Sequence, residues 1–200
     1  NQISWALRKQ MLEDRIKHVA SLFDISEDQA FMRVAYSLIL NTAEDDTNYE
    51  VDVVDGGHDK QIDIIRIDEV SCNAAVHFFQ VKNSDKYKGS VVVQMRDGLD
   101  WALRSPEDKY KRIENQDLVL KIDAIRELSG RLGMRRLDIW VHYVAKGDTS
   151  RLSPDFVHEV QHTRDMYSGS GEFRSFNFKV WGVNELIEKY YENEEESARI

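Results

Sequence analysis

Two hundred residues, 42% hydrophobic and with only two prolines, describe an ordinary globular chain long enough for one domain with a proper core. Its apolar runs fall short of the roughly 18 residues that cross a bilayer, and no charged-then-apolar leader opens it. The lone Cys72 excludes an internal disulfide and a cysteine-based zinc site. No membrane partner and a cytoplasmic setting are therefore expected. The net charge of −9 counts against nucleic-acid binding. The charge is uneven, however. Residues 24–69 carry thirteen acids and three bases, whereas residues 79–112 carry eight bases and five acids.

In chain order, residues 4–22 place apolar side chains at helical spacing (Trp5, Leu7, Met11, Leu12, Ile16, Val19, Leu22) and predict an amphipathic helix. Asp24 or Ser26 offers an N-cap for a second, buried helix over Gln29–Leu40, with Glu27 and Asp28 in its first turn. From Tyr49 the alternation of Tyr49, Val51 and Val53 with polar neighbours predicts a strand, which Asp55-Gly56-Gly57 ends in a turn. The β-branched run Ile62–Ile67 and the run Ala75–Val81 predict a hairpin joined by a loop over 68–74. Two helices follow, over 91–104 and 107–129, separated by Ser105-Pro106. Leu137–Val144 reads as a buried strand, Pro154 to about Arg164 as a helix, Phe173–Trp181 as a strand, and Val183–Tyr191 as a closing helix. The order predicts an α/β fold, a mixed β-sheet flanked by helices on both faces.

The hairpin carries the chemistry. Antiparallel pairing about a loop near Asn73 sets Asp63 opposite Gln80, and Lys82, two residues on, shares their face. Hydrolysis of a phosphodiester needs a hard divalent cation held by carboxylate and carbonyl-type oxygens, together with a cationic group near the attacking water. Asp63 would be the main ligand, and the Gln80 side chain or the Val81 backbone carbonyl would complete the set. Lys82 would orient the water and offset charge in the transition state. Asp59 and Asp55, on the glycine-rich turn, are candidates to bind a second metal or to tune the first.

This pattern resembles the PD-(D/E)xK nuclease superfamily in its Mrr-like Gln-x-Lys variant. It is most similar to the nuclease-like region of abortive infection phage resistance (AIPR) proteins. The likeness rests on the apolar helix Phe31–Leu40, on Val54-Asp55-Gly56-Gly57-x-Asp59-x-x-Ile62-Asp63, and on Phe79-Gln80-Val81-Lys82. It continues more weakly through Tyr143–Gly147 and Val180–Leu186. The resemblance implies a restriction-endonuclease-like core, cleavage of DNA or RNA with Mg2+ (Mn2+ as the alternative), and a role in phage defence. Members of the superfamily often carry a helix Glu as a further ligand; Met32 stands there, and Glu27 or Asp28, about a turn earlier, are the substitutes.

Lys86, Lys88 and Arg96 are candidate contacts to a phosphate backbone. His158 and His162 have i, i+4 spacing without the rest of a zinc motif. His77 is expected to be half-packed inside a strand. The chain divides as a helical extension (1–25), a nuclease domain (26–191) and an acidic tail (192–200), and a homodimer would suit cleavage of both strands. The competing expectation is an inactive descendant of the nuclease fold that binds nucleic acid or protein.

Overall fold

The computed structural model describes residues 3–54 and 62–199. Eight helices and four strands appear among them: α1 (Trp5–Phe23), α2 (Glu27–Leu40), α3 (Asn48–Asp52), β1 (Ile64–Val70), β2 (Asn73–Val81), α4 (Gly89–Leu103), α5 (Glu107–Tyr110), α6 (Gln116–Leu132), β3 (Leu137–Val144), α7 (Pro154–Ser168), β4 (Ser175–Trp181) and α8 (Val183–Ala198). The strands form one sheet in the order β1-β2-β3-β4. β1 runs antiparallel to β2, while β2, β3 and β4 are parallel. The fold is thus α/β with a mixed sheet flanked by helices.

Alternation along the strands splits the interior in two. Val76 and Phe78 of β2, with Ile139, Val141 and Tyr143 of β3, pack under α4, α6 and α7. Phe79, Val81, Val144 and Trp181 face the other way, into a second core shared with α1, α2 and α8. The expected N-terminal extension belongs to that second core, since Leu12, Ile16 and Val19 of α1 are fully buried there. Ser26 is the N-cap of α2 and forms a capping box with Gln29. Asp24 instead adopts the left-handed conformation that ends α1, with φ 53°.

Four local expectations change. Residues 49–54 are mostly helical, and only Val53 makes a strand-like bridge, to Ile64. A helical turn places Tyr49 and Asp52 on one face, where the Tyr49 ring meets Tyr36 edge-on at 5.2 Å and Asp52 accepts from the Tyr36 hydroxyl at 2.7 Å. The hairpin loop is not 68–74; pairing continues to Val70 and Asn73 around a two-residue turn in which Ser71 has φ 58°. Its polar residues are accommodated by partners, Asp68 by Arg66 at 2.8 Å and Glu69 by Arg131 at 2.6 Å. The helix expected over 107–129 is two helices, because the Asn115 side chain accepts from Leu118 N–H and restarts the chain as α6. The expected acidic tail is helical to Ala198, with the Asn193 amide donating to the Leu38 carbonyl at 3.0 Å.

Candidate functional site

The site is built where β1 begins and β2 ends. Ile64 pairs with Phe79, and Asp63 N–H donates to the Phe79 carbonyl at 2.8 Å. The register therefore sets Asp63 beside Gln80, as the hairpin geometry predicts. Asp63 Oδ2 accepts from the Gln80 side-chain amide at 3.0 Å and from Val81 N–H at 2.8 Å. Gln80 is only 2% exposed. Its Oε1 is buried and accepts no hydrogen bond among the described residues, an uncommon state for a buried oxygen.

Lys82 continues on the face of Gln80, and its N–H donates to the Val144 carbonyl at 2.8 Å. Its side chain is half-buried and forms no ion pair among the described residues. Gln80 lies next to Tyr143 in the parallel register, and the Tyr143 hydroxyl accepts from Lys88 N–H at 3.2 Å. Asp63 and Gln80 thus meet, with Lys82 two residues further along the chain, at the carboxyl ends of the parallel strands, the usual place for ligands in open α/β sheets.

The other candidates fall elsewhere. Asp55 and Asp59 lie outside the described residues. Asp28 accepts from the Asn83 amide at 2.6 Å, and the side chain of Glu27 is exposed on the same first turn of α2. Met32 packs in the second core. Arg96 is engaged within the fold, bridging α4 to α7 through Glu159 at 2.9 Å and Thr163 at 3.1 Å. Lys86 and Lys88 are exposed in the loop after β2. His158 and His162 stack with ring centroids 6.3 Å apart, and no group of three His, Cys, Asp or Glu suited to a metal occurs among the described residues.

Sequence reasoning missed two polar centres. Asp52, 3% exposed, receives Tyr36 Oη, Lys121 Nζ at 2.6 Å and Arg66 Nη1 at 3.4 Å. Burial, reinforced by the Asp52 carboxylate, pushes the Tyr36 hydroxyl well above its usual range. The second is a chain of rings. The Trp181 indole can only donate, and it reaches His142 Nδ1 at 3.0 Å. His142 must then carry its proton on Nε2, which donates to His77 Nδ1 at 2.9 Å. Burial holds the His142 pKa well below the ordinary value, and lowers that of His77 to about 4. No spacing in the sequence signals either centre.

Tight loops frame the carboxyl edge. A Cβ on Gly147 would lie 2.4 Å from the Asp85 carbonyl oxygen and 2.5 Å from the Tyr87 ring. One on Gly182 would lie 2.4 Å from the Gly147 carbonyl oxygen. Only glycine lets the loops after β2, β3 and β4 approach this closely. The Tyr87 hydroxyl ties them together, donating to the Trp181 carbonyl at 2.8 Å and accepting from Gly147 N–H at 3.3 Å.

No helix among the described residues is long and apolar enough to cross a membrane. Compared with protein-family models, with curated proteins and with solved structures, the chain gives no match.

Proposed function

We propose that the chain is a metal-dependent nuclease of restriction-endonuclease-like fold that hydrolyses phosphodiester bonds of DNA or RNA. The observation that carries this reading is the buried Gln80 Oε1 beside Asp63, which has no partner among the described residues, with Lys82 one pleat further along β2. Carboxylate and amide oxygens are the hard donors that Mg2+ or Mn2+ takes, so these residues fit such an ion. Asp63, Gln80 Oε1 and the Val81 carbonyl would hold it, with Asp59 or Asp55 as additional ligands. When bound, it supplies Lewis-acid polarisation of the phosphate and a water of lowered pKa.

The protein's own groups do the remainder. Gln80 and Val81 N–H fix the Asp63 carboxylate by hydrogen bonds, which holds its orientation without a rotamer search. Lys82 orients the attacking water and offsets negative charge as the new P–O bond forms and the ester P–O bond breaks. The proton lost by the water ends on the departing oxygen. The resemblance to abortive infection proteins supports a cytoplasmic role in phage defence, and a homodimer would allow both strands of a duplex to be cut.

Cleavage of labelled DNA and RNA with Mg2+, Mn2+ or chelator tests the reading. Asp63→Asn and Lys82→Ala should each lower the metal-dependent rate by about 10²–10⁴-fold while the circular dichroism spectrum is unchanged. Undiminished cleavage in both variants sinks it. A second reading, an inactive binding module, is favoured by one observation: Asp63 Oδ2 is already engaged by two N–H donors. Calorimetric titration with Mn2+ separates the two, since the inactive module gives no Asp63-dependent heat.

A further inference from the structure

A cavity of about 440 Å3 opens along the same carboxyl edge, between the loops that follow β2 and β3. Trp5, Asp85, Lys86, Lys88, Asp148 and Arg151 are among the residues that line it. It begins three residues after Lys82, and the Gly147 contacts that pack these loops together also shape its wall. Lys86 and Lys88 are exposed and form no ion pair among the described residues, and Arg151 has only Asp148, at 3.7 Å. Asp148 is itself engaged by the backbone N–H and hydroxyl of Ser150. The 15-residue helix α4 starts at this cavity, directly after Lys88, with no side-chain cap on its first N–H groups. Three cations, Lys86, Lys88 and Arg151, thus face two carboxylates, Asp85 and Asp148, and positive charge prevails in the cavity.

We infer that this cavity binds a backbone phosphate of the nucleic-acid strand whose scissile bond lies at Asp63, Gln80 and Lys82. The inference rests on the nuclease reading for the identity of the strand, though not for the presence of the anion site. Lys86 and Lys88 neutralise the phosphate, and Arg151 adds a third cation across the cavity. Such a contact positions the strand without reading its sequence. It also meets the objection raised by the overall charge of −9, because the positive charge is local to the edge where a strand would lie.

Fluorescence anisotropy of a fluorescein-labelled single-stranded oligonucleotide, measured in chelator so that nothing is cut, tests the inference. The full chain is compared with Lys86→Ala/Lys88→Ala and with a control that removes equal charge elsewhere, Lys17→Ala/Arg135→Ala. The first double variant should weaken binding about tenfold and make the slope of log affinity against log salt shallower by about 1.4. The control should stay within about twofold of the full chain, as expected for charges outside the contact. Equal binding by the full chain and Lys86→Ala/Lys88→Ala, or equal weakening by the control, overturns the subsite whatever Asp63→Asn does to cleavage. Complete displacement of the oligonucleotide by low-millimolar inorganic phosphate also overturns it, and identifies a free phosphate as the occupant. Selective loss of binding in a protein that never cleaves supports the subsite and removes the nuclease.

Discussion

Two buried polar centres sit at the start of the hairpin, and they are satisfied in different ways. Asp52 is saturated: a hydroxyl, an ammonium and a guanidinium converge on its two oxygens. In the Asp63–Gln80 pair Asp63 is half-buried and Gln80 fully buried, yet Gln80 Oε1 is left without a partner among the described residues. A saturated centre has spent its bonding on the fold, tying α2, α3, β1 and α6 together. An incompletely satisfied one costs stability unless something else binds there. That contrast is what separates a structural carboxylate from a functional one in this chain.

The largest effect should come from Asp52. Removing it by Asp52→Ala takes the ion partner from half-buried Lys121 and the acceptor from Tyr36, while Arg66 keeps Asp68, and should cost about 3 kcal/mol, read from urea denaturation midpoints. A loss below about 1 kcal/mol would mean that Asp52 does not tie these elements together.

Acid should produce the next largest effect. His77 is held neutral in the fold with a pKa near 4, while in the unfolded chain it titrates near the ordinary 6.5. Between those values the unfolded chain binds the extra proton, so stability present above about pH 6.5 is lost as pH falls toward 4 and changes little below that. Arg66 and His142 face this imidazole and oppose its protonation, whereas Asp68 favours it. The loss attributable to His77 should not exceed about 3 kcal/mol. Denaturation midpoints at pH 7.5 and 5 should differ less in His77→Phe than in the unaltered protein; equal differences would remove His77 as the cause.

Gly147→Ala forces a Cβ against the Asp85 backbone and should cost about 1–3 kcal/mol. A neutral result would show that the edge loops yield easily. The smallest effect is expected for Gln80→Met, which keeps the side chain's length and removes its amide oxygen together with the N–H that Asp63 accepts. Stability should change by less than about 1 kcal/mol, while the Mn2+ titration signal disappears. A large destabilisation would instead place Gln80 in the same class as Asp52.

The hairpin was legible because its rules are strict. A period of two and a single antiparallel register leave Asp63 only one partner, so even a misjudged loop did not move it from Gln80. Residues 49–54 were not legible, because the same alternation serves a strand or one helical turn. The choice fell to Tyr36 and Lys121, which are distant in sequence. Arg96 looked like a free cation because nothing local shows which face of α4 meets α7. The glutamates after Tyr191 read as a solvated tail, and they are indeed exposed, yet Asn41 and the Leu38 carbonyl hold that last stretch of helix in place. What a pattern can show is spacing; what it cannot show is which distant side chain completes a bond.

The chain of rings from Trp181 through His142 to His77 has a spectroscopic consequence. Both imidazoles are locked in the Nε2–H tautomer, so their nitrogen resonances should stand apart from those of solvent-exposed histidines that interconvert freely. The same Trp181 whose indole sets that tautomer also offers its carbonyl to Tyr87 and Ala145 at the carboxyl edge. A ligand that shifts the edge loops would pull on Trp181 and be heard at His77, on the opposite side of the sheet from Gln80. The fold thus carries an internal microphone, and nuclear magnetic resonance can listen to the site without a label placed in it.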